Sequence, residues 1–123
     1  MIRGIVTSDR EATVAVEVRD THGQSVKISA VVDTGFNGSL TLPASVIQTL
    51  ALQLHGTRDA TLADGSSLRL DIYRGTVVWD GHPQVVQILA AEGGPLVGMR
   101  LMYGYELRVE VVDGGAVTIT ALP

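Results

Sequence analysis

Apolar side chains recur at every second position along most of this chain. In TVAVEVR, Val14, Val16 and Val18 point one way. In SVKISAVV, Val26, Ile28, Ala30 and Val32 share a face, as do Leu68, Leu70 and Ile72 in SLRLDIY. TVVW, QVVQILA, ELRVEVV and AVTITA continue the pattern. A period of two is that of a half-buried strand, so the chain is predicted to be all-β. The turn chemistry agrees. DTHGQ (20–24) reads as a hairpin loop, and Asp64-Gly65, Asp80-Gly81 and Asp113-Gly114 fall between alternating runs. Asp-Gly is a hairpin signal because both central residues can take positive φ. A helix is predicted in PASVIQTLA, with Pro43 suited to its first turn and Val46, Ile47 and Leu50 on one face. A shorter helical turn is predicted in MRLMYG (99–104). A sandwich and a closed, barrel-like arrangement both fit this order of elements.

Size and composition narrow the possible functions. The 123 residues read as a single domain, 1–123, with no linker or low-complexity tract, and 46% of them are apolar. Lys27 is the only lysine, the arginines are scattered and the net charge is −4, which argues against a nucleic-acid groove. The chain has no cysteine, so disulfides and thiolate metal sites are excluded. His22, His55 and His82 lack metal-ligand spacing, and no metal or organic cofactor is expected. No run approaches the ~20 apolar residues of a membrane span, and none at the N-terminus reads as a signal peptide. The expected location is cytoplasmic, with no membrane partner.

One acid stands apart from this plan. In ISAVVDTGFNGSL (28–40), Asp33 ends a greasy strand and is followed by Thr34 and Gly35. Carboxylates are almost never fully buried unless paired, so something must satisfy or use this one. Asp, Thr and Gly are also ordinary turn residues, and a simple turn is the plainer alternative. Three features add weight to a functional role: Gly35 and Gly38, where backbone can approach closely; a second apolar run into Gly98 in PLVGMRLMYGYEL (95–107); and an ADGS hairpin tip (63–66) between the two.

DTGFNG, ADGS and PLVGM-x-L, in that order, resemble the retropepsin-like aspartic proteases, the single-domain class that includes the retroviral enzymes and small prokaryotic members. The resemblance covers nearly the whole chain. It implies a closed, barrel-like acid-protease fold with a flap hairpin and one or two short helices. It also implies an aspartic endopeptidase acting as a homodimer on peptides or unfolded protein, with Asp33, Thr34 and Gly35 as the catalytic motif. Thr34 would link the two Asp-Thr-Gly loops across the two-fold axis. Phe36, Asn37, Gly38, Leu40 and Leu96, with Leu62, Ala63, Asp64 and Gly65 of the flap, are the implied substrate-binding residues.

Two positions depart from the family pattern. Phe36 stands where relatives carry Ala or Ser, and a ring there is expected to narrow or reshape a subsite. The acid and arginine that many retroviral enzymes pair near the two motifs are replaced by Asn37 and Met99, leaving Arg100 one residue late. The terminal strands MIRGIV and AVTITALP are expected to interleave across the dimer, the alternative being that both pair within one subunit. Ser66 and Ser67 lie in a hairpin turn rather than a nucleophile elbow. GGPLVG lacks a nucleotide-binding register. Trp79, with Tyr73, reads as core edge before a recognition patch. A retropepsin-like module that binds peptides or self-associates without hydrolysis remains the alternative from another class.

Overall fold

The computed structural model describes residues 1–123 and is built almost entirely of strands. In chain order these are β1 (Ile2–Val6), β2 (Ala12–Arg19), β3 (Ser25–Val32) and β4 (Leu40–Leu42). Helix α1 (Ala44–Leu50) follows, then β5 (Gln53–Thr61), β6 (Ser67–Trp79), β7 (His82–Ala90) and β8 (Leu96–Val97). Helix α2 (Met99–Met102), β9 (Tyr105–Val109) and β10 (Ala116–Ala121) complete the chain. All strands join one sheet in the order β5-β6-β7-β4-β8-β3-β2-β1-β10-β9. A further pairing of β6 with β2 bends the middle of that sheet back on itself. Strands β2, β3, β8, β4, β7 and β6 thereby form a closed ring, which settles the choice between sandwich and closure.

The ring encloses the core. Val14, Val16 and Val18, the inward set of β2, are all at most 2% exposed. They meet Val77 and Trp79 of β6, Ile88 of β7, Leu40 and Leu42 of β4, Val97 of β8 and Ile119 of β10 in one cluster. Trp79 is buried and stacks edge-on against Tyr105, with centroids 6.0 Å apart and planes at 79°. Helix α1 contributes Ile47 and Leu50 and ends at Ala51 in the left-handed region, φ 52°. Pro43 precedes this helix with an extended ψ of 154°, one position earlier than its expected place inside the first turn. Helix α2 ends at Met102, two residues before the expected limit.

The turns separate the three Asp-Gly pairs. Only Asp80-Gly81 forms the two-residue hairpin with both residues at positive φ (51° and 80°). At Asp64-Gly65 and Asp113-Gly114 the glycine alone turns left-handed, within longer loops. Asp20 shapes the 20–24 loop by accepting hydrogen bonds from the N–H groups of His22 and Gln24, each 2.8 Å. The face of β3 is graded: Ala30 is buried, Ile28 half-buried and Val26 exposed at 38%, because the strand runs off the end of the core.

The expected interleaving of terminal strands is corrected here. Strand β1 lies between β2 and β10 of the same chain, antiparallel to both, and β10 pairs β9. Both terminal strands therefore find their partners within one subunit. Two open edges remain, β5 at one end of the sheet and β9 at the other.

Leu40 is 0% exposed and sits in the centre of the core, whereas Leu62 is 46% exposed. Leu40→Ala should lower the unfolding free energy by about 2–5 kcal/mol. Leu62→Ala should stay within ~0.5 kcal/mol, as an exposed change does. Urea denaturation of both variants checks the assignment, and equal costs would contradict it.

Candidate active site

The site is made where two distant segments cross. Strand β8 is inserted between β3 and β4, parallel to the first (Val31↔Leu96, Val32↔Val97) and antiparallel to the second (Leu40↔Val97, Thr41↔Leu96). At its end the Asp33 N–H donates to the Val97 carbonyl at 2.9 Å. Beyond it, the N–H groups of Gly98, Met99 and Arg100 donate to the carbonyls of Ser39, Phe36 and Gly38 at 3.0, 2.8 and 3.1 Å. The 33–39 loop and the start of α2 are thus laced together by backbone. A bond from the Leu96 N–H to Thr41 Oγ1, 2.9 Å, fixes the entry to the crossing.

Glycine is required at that crossing. A methyl group on Gly98 would collide with the carbonyl oxygens of Gly38 and Phe36 and with the Phe36 ring. A methyl on Gly38 would come within 2.6 Å of Phe36 Cζ. The ring of Phe36 therefore folds back over the two glycines and is half-buried. It fills the space the two glycines leave, with part of its ring still exposed.

The same lacing presents Asp33 outward. Its side chain is half-buried, and Thr34, Gly35 and Asn37 are exposed. Asp33 Oδ1 accepts the Gly35 N–H at 2.8 Å, and its carbonyl accepts the Phe36 N–H at 3.1 Å, closing a tight turn. A side chain at Gly35 would place Cβ 3.2 Å from Oδ1. The carboxylate makes no hydrogen bond or ion pair with another ionisable side chain.

Two shallow clefts flank the motif. One, of about 380 Å³, is lined by Asn37, Met99, Arg100 and Tyr103. The other, of about 270 Å³, holds Thr34, Met99, Met102, Tyr103, Tyr105 and Leu107. Asn37 and Arg100 face the first cleft together without a hydrogen bond between their side chains. Met99 and Tyr103, 47% and 89% exposed, border both clefts although they lie outside the Asp-Thr-Gly motif and the flap. Their signal is two large side chains at the start of a four-residue helix and just past its end, a segment too short to bury them both. Leu40 is corrected as a pocket wall, since it is core. Leu96 is half-buried in the ladder between Val31 and Thr41.

The 62–65 segment is the tip of a long hairpin of β5 and β6 whose outer half is exposed. Its hydrogen bonds are its own: Leu62 N–H to the Ser66 carbonyl at 2.8 Å and Gly65 N–H to the Leu62 carbonyl at 2.9 Å. Asp64 Oδ1 accepts both the Ser66 hydroxyl, 2.6 Å, and the Ser66 N–H, 2.9 Å. These bonds favour the charged form and hold the Asp64 carboxyl below its ordinary 3.8, the Ser66 hydroxyl first and its N–H second. Asp64 is therefore a turn former. At the root of the hairpin the register shifts between Leu54 and Gly56, where Arg74 lies 3.0 Å from His55 Nε2.

Compared with solved structures, the chain matches a retropepsin-like aspartic protease from Rickettsia conorii with a TM-score of 0.65, over 99% of this chain and 91% of that one, at 19% sequence identity. The fold is retropepsin-like. No family model matches the sequence, and neither does any curated protein. The expectation drawn from DTGFNG, ADGS and PLVGM is thus met at the level of the retropepsin-like fold. No three His, Asp or Glu side chains gather as a metal cluster, and no helix is long and apolar enough to cross a membrane.

Gly98→Ala should destabilise the chain by about 1–3 kcal/mol through overpacking, read by thermal unfolding. Gly104→Ala, with open space at its Cβ but φ 89°, tests strain without collision. Its penalty should be the smaller of the two. For Asp64, whose carboxyl is depressed in the folded state, stabilisation of the tip is fully present above pH ~3.8 and fades as pH falls through the lowered value. NMR titration of Ser66→Ala should move the Asp64 midpoint up towards 3.8, whereas an unchanged midpoint would remove the Ser66 hydroxyl as the leading cause.

Proposed function

We propose that this chain is an aspartic endopeptidase whose catalytic pair forms from Asp33 of two copies. The observation that carries the reading is the presentation of Asp33. It is a carboxylate held rigidly by the β3–β8 ladder and its own turn, facing solvent, with no acidic partner in its own chain. Acid-protease chemistry needs two carboxylates close enough to share one proton. A two-fold contact supplies the second from the same sequence.

In such a pair the charged carboxylate takes a proton from water as the water oxygen attacks the scissile carbonyl carbon. The protonated one hydrogen-bonds the carbonyl oxygen and passes its proton there as the tetrahedral diol forms. Collapse then breaks the C–N bond, with a proton returned to the leaving amine. Thr34, next in the loop and exposed, bridges the two copies in this reading. The β5–β6 hairpin serves as the flap, closing over an extended peptide that binds as an added strand. Three apolar side chains exposed along it, Leu54, Leu62 and Leu68, support a preference for apolar segments of peptides or unfolded protein.

The test is digestion of a diverse peptide library by wild type and Asp33→Asn from ~pH 3 to 8, the range of plausible dyad titration, with new termini read by mass spectrometry. Wild-type cuts should fall by about 10²–10⁴-fold or more in the variant. Their pH profile should be a bell whose limbs belong to the pair of acids. Cuts that persist in the variant contradict the reading. No cuts from a stable wild-type dimer would favour a peptide-binding or self-associating module instead.

A further inference from the structure

Strand β6 changes partner halfway along one edge. Its other edge is held by β7 over Ile72–Trp79. On this edge β5 pairs as far as Gln53, opposite Arg74, and β2 takes over with Arg19, opposite Thr76. The two partners therefore meet end to end at Gly75, where β2 turns away into the 20–24 loop. A cleft of about 150 Å³ lies at that junction.

The junction gathers positive charge. Opposed residues, and residues two apart on one strand, share a sheet face. Arg19, Thr76, Arg74 and Gln53 thus stand on one face, around the cleft that they line together with Thr21. Neither guanidinium is answered by a well-placed carboxylate. Arg19 Nε lies 3.8 Å from Glu17, beyond hydrogen-bond range, and Glu17 stands opposite Lys27. Arg74 forms no ion pair and donates instead to His55 Nε2 at 3.0 Å. Asp20, the acid in the lining, has Oδ1 committed to the N–H groups of His22 and Gln24. The chain as a whole carries −4, so this charge is a local feature and not a general one.

We infer that the junction binds a phosphate group. Guanidinium forks fit pairs of phosphate oxygens, and two of them match a dianion. A tetrahedral oxyanion can accept from β2, β5, β6 and the loop at once, with the Thr21 and Thr76 hydroxyls and the Gln53 amide as neutral donors. A carboxylate has two oxygens in one plane and one charge, and leaves one arginine unanswered. The consequence is mechanical. Arg19 belongs to the closed ring, and Arg74 to the root of the β5–β6 hairpin, beside the register shift between Leu54 and Gly56. A phosphate held by both clamps the arm to the ring. The site shares no residue with the clefts beside Asp33 and does not depend on the protease reading; only the clamp's effect on the hairpin as a flap does.

The experiment titrates inorganic phosphate into the full chain by calorimetry at constant ionic strength, for wild type, Arg19→Gln, Arg74→Gln and Arg69→Gln, with circular dichroism confirming folding. Loss of either cleft arginine should weaken binding roughly tenfold or more, as loss of a charged hydrogen bond does. Arg69→Gln, farther out on the hairpin, should bind as wild type does. Acetate should not bind. Hydrogen exchange on the same samples should show residues 53–56 and 72–75 slowed by phosphate in wild type and unchanged in Arg74→Gln. No saturable binding, equal affinity in all four proteins, acetate binding as tight as phosphate, or binding with no change in exchange at the hairpin root would overturn the inference. Phosphate should also slow peptide cleavage by wild type more than by Arg74→Gln. If no peptide is cut, the protease reading falls while calorimetry and exchange still decide the site.

Discussion

A two-residue strand, β8, lies between the strand that ends in Asp33 and the strand that follows its loop, and hydrogen-bonds both. Three successive N–H groups beyond it are then taken by carbonyls of the 33–39 loop. Buried backbone groups left unpaired are costly, so this exchange fixes the loop's shape without help from side chains. It requires two glycines. Gly98 and Gly38 let the backbones touch, and Phe36 covers the pair. The rigidity of Asp33 is inherited from this crossing rather than from any ion pair of its own.

The rest of the molecule divides around that crossing. On one side the β2–β6 pairing closes the ring, and the valines of β2 pack against Trp79, Ile88 and Leu40 in a dry core. On the other side the Asp33 turn, the Met99–Tyr103 segment and the edge of β9 stay open, with Tyr103 almost fully exposed. Met99 and Tyr103 thus leave apolar surface open beside the Asp33 turn and a free strand edge. In the proposed dimer a second copy would supply the other carboxylate of the pair. The β5–β6 hairpin is a different kind of exposure: it is held only by its own ladder and tip, and the Arg69–Asp59 pair along it is too exposed to add much. Such an arm can move as a unit while the core stays still.

The sequence was most readable where structure is local. The alternation in β2 marked its buried valines, and Asp80-Gly81 marked a tight hairpin, because period and turn chemistry act within a few residues. The Asp33 motif and Gly98 stood out for the same reason. What could not be read depends on partners far along the chain. Strands of two or three residues, such as β8 and β4, have no period, so neither the insertion of β8 nor the burial of Leu40 carried a local signal. Periodicity also names a face without saying how far the core extends beneath it, which is why Val26 proved exposed. The orientation of Phe36 was set by two glycines, one of them in a separate segment. The terminal strands alternate equally well whether paired within the chain or across a dimer, and only the observed register decides between them.

The central claim is that one active site is made of two Asp33 carboxylates from different chains. The most direct measurement is a subunit-mixing titration, in which increasing Asp33→Asn protein is allowed to exchange with a fixed amount of wild type while peptide cleavage is followed. If the dyad is shared, wild-type chains are drawn into pairs with one acid, and activity per wild-type chain falls in proportion to the wild-type fraction. Activity that stays constant per wild-type chain at every mixing ratio, with exchange verified by mass, would show that each subunit works alone and would contradict the account.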